Sequence, residues 1–236
     1  MALQTLPPPS AQRRAHRGRR RSTAFWVGIA LVAAGLALLG YVAWQFFGTN
    51  IVSRREQRQI VERTQRIWSH GGSTTGTGQG QGVHLAGAEA LIRIPSFGED
   101  LVPVQEGVTP TVLAQGFGHF RGTARAGQVG NFALAAHRVT HGEPLRKMPT
   151  LRPGDTVVVE TRTHSFTYRI DTDPNRLVVA FTDIWVVSPV PHNPHGGVQP
   201  AQRPGQRLIT LTTCSELFHT DNRMIAFGHL VGSRSR

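Results

Sequence analysis

The chain has 236 residues, a formal net charge of +12 at pH 7 and one cysteine. The charge is uneven, because residues 1–70 hold 11 Lys and Arg against two acidic residues, whereas the rest of the chain holds 15 against 12. Since the basic residues flank one apolar segment, this distribution indicates placement at a membrane and argues against a nucleic-acid-binding groove. The near-neutral remainder is long enough to bury one hydrophobic core.

The apolar segment covers residues 24–47 and contains no charged residue. A helix needs about 20 such residues to cross a bilayer, and Trp26, Tyr41 and Trp44 lie near its ends, where amphipathic rings favour the interface. A cleaved signal peptide would have an apolar core of about 7–15 residues and a small-residue cleavage site, and neither is present. The sequence therefore predicts a transmembrane anchor after a basic tail at 1–23. Six arginines without an acid precede the anchor, which predicts a cytoplasmic N-terminus and an extracellular domain.

Residues 48–87 follow the anchor and consist of two stretches of different composition. The run SRREQRQIVERTQRIW favours a short juxtamembrane helix, whereas SHGGSTTGTGQGQG is typical of a flexible tether. We expect the folded domain to begin near Ala88 and to occupy residues 88–236.

Short strands dominate this domain. Seven β-branched or alternating runs are separated by Gly, Pro and Asp at a spacing typical of a sandwich or barrel: EALIRIPSFG, NFALAAH, DTVVVETRT, SFTYRID, FTDIWVV, QRLITLTTC and RMIAFGHLVG. Two runs that open on Thr-Pro and Glu-Pro, TPTVLAQGFG and EPLRKMPTL, favour short helices. The Pro- and Gly-rich stretch 188–205 predicts a binding loop or lid.

The single cysteine, Cys214, ends the run QRLITLTTC. A lone buried cysteine is often a small apolar filler. An extracellular domain with one cysteine has no disulfide partner, however, and a thiolate nucleophile paired with a base also fits. His137, at the end of NFALAAH, is the best candidate for that base, although a core-edge histidine fits the same pattern. Arg223 opens the last strand, where it faces Cys214 across a hairpin or is simply a solvated surface residue.

Taken together, TLTTC, the arginine nine residues later and the upstream GNFALAAHR resemble the sortases, the cysteine transpeptidases that attach proteins to bacterial cell walls. The similarity covers about residues 88–231 and is greatest to the class E sortases. It implies a mainly β fold, an eight-stranded sortase-type β-barrel with short helices, preceded by one transmembrane helix. Cys214 would end the seventh strand, His137 would follow the fourth and Arg223 would lie on the eighth.

The resemblance also implies an activity. Cys214 would attack the Thr–Gly bond of a Leu-Ala-Xaa-Thr-Gly or Leu-Pro-Xaa-Thr-Gly sorting signal and form a thioacyl enzyme. His137 would protonate the leaving amine, and Arg223 would donate hydrogen bonds to the oxyanion. The partners implied are surface proteins with a C-terminal sorting signal and an amine of a peptidoglycan precursor.

Three further residues are expected to contact the substrate: Phe120, Thr213 and Val190. Phe120 stands where class E members often carry tyrosine, which leaves the preference at the second signal residue open.

Other functions remain compatible with the sequence. A hydrolytic cysteine peptidase would use the same cysteine and histidine, and a non-enzymatic, membrane-tethered binding barrel would bury Cys214. An L,D-transpeptidase would be expected to show an SHGC-like run, which does not match the residues around Cys214. His192 and His195 have metal-ligand spacing but no evident third ligand, and no carboxylate cluster suggests calcium, so we predict no metal and no cofactor.

Overall fold

The structure, a computed structural model, describes residues 23–44, 48–71, 87–216 and 221–236. The basic tail at 1–22, the end of the predicted anchor at 45–47 and the Gly-rich tether at 72–86 lie outside the described residues, as does the segment 217–220. The chain divides into two units, Met1–Val42 and Ala43–Arg236.

The described residues of the first unit, 23–42, all belong to helix α1, Thr23–Ala43. Its residues Thr23–Val42 have a mean hydropathy of 2.2 and none of them is buried by protein. At about 1.5 Å per residue, a helix of this length matches the hydrocarbon core of a bilayer. Among the described residues, α1 alone is long and apolar enough to cross a membrane.

The second unit combines a β-barrel with helices α2, Thr49–Ser69, and α3, Pro110–Ala114. The strands are β1 Ala90–Arg93, β2 Val102–Glu106, β3 Phe117–His119, β4 Gly130–Ala135, β5 Thr156–Glu160, β6 His164–Ile170, β7 Val178–Ala180, β8 Arg207–Cys214 and β9 Asn222–Ser235.

Eight of these strands close on themselves in the order β6-β5-β1-β2-β3-β4-β8-β9, because β9 also pairs with β6. The predicted eight-stranded barrel is therefore confirmed. β7 is a short ninth strand that pairs only with β9. In chain order Cys214 thus ends β8, which is the seventh strand of the barrel proper.

The barrel interior is filled by alternate side chains of its strands, as the period of two requires. On β4 these are Phe132 and Leu134, and on β8 they are Ile209 and Leu211, each at most 1% exposed. The side chains between them point to the outer face. There Ile225 and Phe227 of β9 form a second apolar cluster with Trp185, Val186 and their neighbours.

Two predicted elements differ from the structure. The run FTDIWVV was predicted as a strand, but Ile184–Val187 form a 3₁₀ turn. This turn covers the outer face of the barrel: its Val186 is buried, and its Trp185 ring lies 6.0 Å from that of Phe227. In EPLRKMPTL only Met148–Thr150 form a 3₁₀ helix.

Helix α2 packs on the barrel and is part of the second unit. Its Val61 lies in a cluster with Ala88 and Leu91, and the Thr64 hydroxyl accepts a 2.8 Å hydrogen bond from the Ala88 N–H. The guanidinium of Arg236 lies over the Trp68 ring at 5.3 Å. The folded unit therefore includes residues well before Ala88, where the sequence pattern placed its start.

Candidate active site

Three neighbouring strands, β4, β8 and β9, end or begin at the same edge of the barrel. β4 and β8 are parallel, with Ala135 opposite Thr212, and the Ala136 N–H continues the pairing by donating to the Thr212 carbonyl at 3.2 Å. His137 lies two residues past the end of β4, and the same register, continued by those two residues, would place it beside Cys214. β8 and β9 are antiparallel, with Cys214 directly opposite Arg223. Cys214 and Arg223 therefore lie at the same level on adjacent strands, at the edge of the barrel where β4 ends and His137 follows.

These residues also share one face of the sheet. On β8, Ile209 and Leu211 point into the core, so the alternation places Cys214 on the outer face. On β9, Met224 and Ala226 are in the core, which places Arg223 on the outer face as well. Adjacent strands lie about 4.8 Å apart, so side chains on three neighbouring strands at one level can reach a single bound carbonyl group.

Cys214 is partly exposed at the end of β8 and forms no disulfide. This exposure fits a nucleophile, whereas a purely structural cysteine would be enclosed. Opposite it, the Arg223 Nη1 donates a 3.0 Å hydrogen bond to the Asn222 carbonyl. That bond holds the guanidinium close to the backbone of β9.

His137 is partly buried, and its ring stacks on that of His141 with 4.8 Å between centroids and 28° between planes. Burial, together with the charge of His141, lowers the pKa of His137 from 6.5 to about 4. Burial acts because it disfavours the charged imidazolium, and a second cation nearby acts in the same direction. His137 is therefore neutral at neutral pH and able to accept a proton.

Thr213, predicted as a substrate contact, is a buried residue of β8. Its hydroxyl donates a 2.8 Å hydrogen bond to the Ala136 carbonyl, and the residue is only 3% exposed. Thr213 precedes Cys214 and Ala136 precedes His137. The Thr213 side chain therefore connects the ends of β4 and β8 next to the two candidate residues.

Arg138 is a site residue that sequence reasoning missed. Its Nη1 donates to the Cys214 carbonyl at 3.4 Å and to the Ser215 carbonyl. This contact joins the loop after His137 to the backbone that follows the cysteine. The only sequence signal was its position directly after the candidate base.

Phe120 lies away from the level of Cys214. The Phe120 N–H donates to the Ala133 carbonyl at 3.0 Å, and Ala133 pairs with Thr210, four residues before Cys214. Four residues of strand span about 13 Å. Val190 is 39% exposed and lies two residues after Ser188.

The side chain of Asn131 holds the segment before Val190 in place, donating to the carbonyls of Val186 and Ser188 at 3.1 Å each. Because Asn131 pairs with Leu208, these bonds hold Val186 and Ser188 near the end of β8 that is far from Cys214.

The long loop at 188–205 has internal hydrogen bonds. The Asn193 N–H donates to the Gln199 side chain at 2.8 Å, and the Gln202 side chain donates to the Pro191 carbonyl at 2.9 Å. His192 and His195 on this loop are exposed. In the part of the chain that the structure describes, no three His, Cys, Asp or Glu side chains are grouped so that they could hold a metal ion.

Comparison with known proteins agrees with this geometry. Residues 92–231 match the Sortase domain family. Over 218 residues the chain is 34% identical to Sortase SrtE1 of Streptomyces coelicolor, and the match covers 89% of this chain and 58% of that protein. The chain therefore spans less than two thirds of the length of this relative.

Two solved structures are similar over the barrel. Sortase E of Streptomyces avermitilis is 40% identical, with a TM-score of 0.54 over 63% of this chain and 90% of that one. Sortase E1 of Streptomyces coelicolor, solved with a tripeptide in the active site, is 34% identical, with a TM-score of 0.55 over 63% and 91%.

Proposed function

The chain belongs to the sortase family, and we propose that it is a cysteine transpeptidase in which Cys214 is the nucleophile, His137 the proton carrier and Arg223 the oxyanion donor. One observation supports this assignment above the others: Cys214 pairs with Arg223 across β8 and β9, and His137 follows the end of β4, the strand that pairs with β8 on its other side. Acyl transfer needs this combination of a soft nucleophile, a group that exchanges protons and a fixed positive charge.

The first half of the reaction forms an acyl enzyme. His137, neutral because its pKa is about 4, takes the thiol proton as the Cys214 sulfur attacks the scissile carbonyl carbon. The carbonyl oxygen becomes an oxyanion that faces the guanidinium of Arg223, a permanently charged donor. When the C–N bond breaks, the imidazolium of His137 donates its proton to the leaving amine, and a thioester remains on Cys214.

The second half reverses the proton path. An incoming amine loses a proton to His137 as its nitrogen attacks the thioester carbonyl. The tetrahedral intermediate then collapses, the C–S bond breaks, and the Cys214 thiolate recovers the proton from His137. Amines attack thioesters more readily than water does, so transfer is favoured over hydrolysis.

The substrate we propose is a Leu-Ala-Xaa-Thr-Gly or Leu-Pro-Xaa-Thr-Gly signal, cleaved between threonine and glycine. The tripeptide in the active site of sortase E1 is consistent with a peptide ligand on this face. In an extended peptide, the leucine lies about 10 Å from the threonine. Phe120 follows β3, two strands from β8, and lies about 13 Å from the level of Cys214 along the strand direction, and we assign Phe120 and Val190 to the leucine end of the signal.

We propose that α1 anchors the enzyme in the membrane with its N-terminus in the cytoplasm and the barrel outside the cell. The apolar length of α1 and the six arginines before it, which have no acidic neighbour, support this orientation. The acceptor would then be an amine of a peptidoglycan precursor, and the acyl donors would be surface proteins with a C-terminal signal.

Product analysis tests the proposal and separates it from hydrolysis. The full-length protein in detergent is incubated with a Leu-Ala-Xaa-Thr-Gly peptide, with and without glycinamide as a soluble primary amine. We expect the amide product to accumulate when glycinamide is present. A free carboxylic acid product that is unaffected by glycinamide would identify a hydrolytic peptidase, and no product would favour a non-enzymatic barrel.

A further inference from the structure

The face of α2 that contacts the barrel is entirely polar in its N-terminal half, whereas Val61 in the other half packs in an apolar cluster and Thr64 bonds to the Ala88 N–H. The buried residues of α2 follow helical spacing: Asn50, Ser53, Gln57, Val61 and Thr64. A helix that only packed on a core would be apolar along the whole of this stripe. The polar half therefore has a separate partner.

That partner is the loop at 139–143, which follows His137. The Asn50 side-chain oxygen accepts a 2.9 Å hydrogen bond from the Gly142 N–H, and its nitrogen donates to the Val139 carbonyl at 3.3 Å and to the Glu143 carboxylate. The Gln57 side chain donates to the His141 carbonyl at 3.0 Å. Two side chains of α2 thus bind the backbone of this loop at three positions.

The loop has a backbone conformation that needs such support. His141, Gly142 and Glu143 have φ values of 53°, 83° and 56°, three consecutive residues in the left-handed region. Only glycine adopts this region without a steric cost, so His141 and Glu143 stay there because neighbouring contacts hold them. The Glu143 side chain is only 7% exposed and contacts Arg146 at 2.6 Å and Arg54 of α2 at 3.8 Å.

The loop in turn carries the ring that stacks on His137. The centroids of His141 and His137 are 4.8 Å apart, and the His137 carbonyl accepts a 3.1 Å hydrogen bond from the Leu145 N–H where the loop returns to the core. A contiguous set of contacts therefore runs from α2 through the loop to the proposed proton carrier.

We propose that α2 is a positioning element of the active site, in which Asn50 and Gln57 hold the loop at 139–143 so that His141 packs against His137. The juxtamembrane segment then sets the orientation of the imidazole, in addition to linking the barrel to α1. This inference rests on the proposed function of His137. Its physical basis is that catalysis depends steeply on the placement of the reacting groups.

The test compares three kinds of α2 variant in the full-length protein in detergent, with the Leu-Ala-Xaa-Thr-Gly peptide and glycinamide. Asn50→Ala and Gln57→Ala remove the bonds to the loop. Gln59→Ala is the matched control, since Gln59 is an exposed glutamine on the same helix. Val61→Ala weakens the packing of α2 on Ala88 and Leu91 without touching the loop.

We expect Asn50→Ala and Gln57→Ala to lower kcat by about ten- to a hundredfold, and Gln59→Ala to leave it unchanged. Val61→Ala should lower Tm while keeping kcat, which a merely structural role of α2 would not permit.

A second readout is the titration of the His137 ring by NMR. The ionisable group whose charge acts on this ring is His141, on its own loop; Arg138 follows His137 directly, and Cys214 and Arg223 are paired at the facing ends of β8 and β9. The pKa of His137 should rise above 4 in Gln57→Ala, because His141 is released from its place beside the ring. In Val61→Ala it should remain at the wild-type value of about 4.

The possible failures are distinct. An inactive wild-type protein would overturn the proposed function itself. An active wild type whose kcat and His137 titration are unchanged in Asn50→Ala and Gln57→Ala would overturn the positioning role alone. Equal losses of kcat in Val61→Ala and Gln57→Ala would show that α2 only stabilises the fold, and would also overturn the positioning role.

Discussion

Replacing Thr213 by valine removes one hydroxyl group while keeping the shape of the side chain. That hydroxyl donates a 2.8 Å hydrogen bond to the Ala136 carbonyl in a site that is 3% exposed. A hydrogen bond of this kind contributes about 1 kcal/mol net, and leaving a buried partner unsatisfied costs about 1–3 kcal/mol. In a unit of this size, 1 kcal/mol lowers Tm by about 2–4 °C.

The effect on turnover should exceed the effect on stability. The bond joins the residue before Cys214 to the residue before His137, so its loss lets the two strand ends move apart. We expect Thr213→Val to lower kcat about tenfold or more while the protein remains folded. Transfer of the peptide to glycinamide measures kcat, and thermal unfolding measures Tm.

Thr213→Ser is the control, because it keeps the hydroxyl and loses only a methyl group. It should retain most of the wild-type kcat, with a modest decrease in Tm from the small cavity. If the serine and valine variants have the same kcat, the hydroxyl does not align the site and our interpretation of Thr213 is wrong.

Three further predictions concern the remaining site residues. Arg223→Lys keeps the charge but loses the planar fork of donors, so the protein should still fold but should have a much lower kcat. A near-normal kcat would contradict the oxyanion role of Arg223. The pKa of His137 is lowered to about 4, so between pH 6.5 and 4 this histidine is protonated in the unfolded chain and neutral in the folded one. The free energy of unfolding should therefore fall as the pH drops through this range. His141→Gln should reduce that fall in pH-dependent unfolding experiments, and an identical pH profile would show that His141 does not act on His137. Phe120→Tyr should leave the ratio of kcat/KM for the Ala and Pro signals within about threefold, because Phe120 lies nearer the leucine; a tenfold change, about 1.4 kcal/mol, would place it at the second residue.

The barrel could largely be predicted from sequence. Strand runs with a period of two, and a cysteine that ends one of them, indicate a β domain with a reactive edge, and the resemblance to sortases implied its closure. β2 and β3 were harder to predict, because Pro103 and Gly118 are unusual in strands and both elements are short.

The contacts that support the site were not visible in the sequence. Asn50 and Gln57 look like exposed polar positions of a surface helix, and only the fold shows that they face a loop about 90 residues later in the chain. The left-handed backbone at His141 and Glu143 has no marker except the glycine between them. Such contacts depend on tertiary structure, which local periodicity does not encode.

The central claim is that Cys214 carries the acyl group. Mass spectrometry of peptides from the full-length protein tests this claim most directly. The wild type and Cys214→Ala are each incubated with Leu-Ala-Xaa-Thr-Gly and Leu-Pro-Xaa-Thr-Gly peptides without an amine, then quenched in acid and digested. We predict a thioacyl adduct that ends in threonine, maps to Cys214 and disappears when glycinamide is added, with neither adduct nor turnover in Cys214→Ala. Turnover by Cys214→Ala, or wild-type turnover with the acyl group on another residue, would contradict the mechanism.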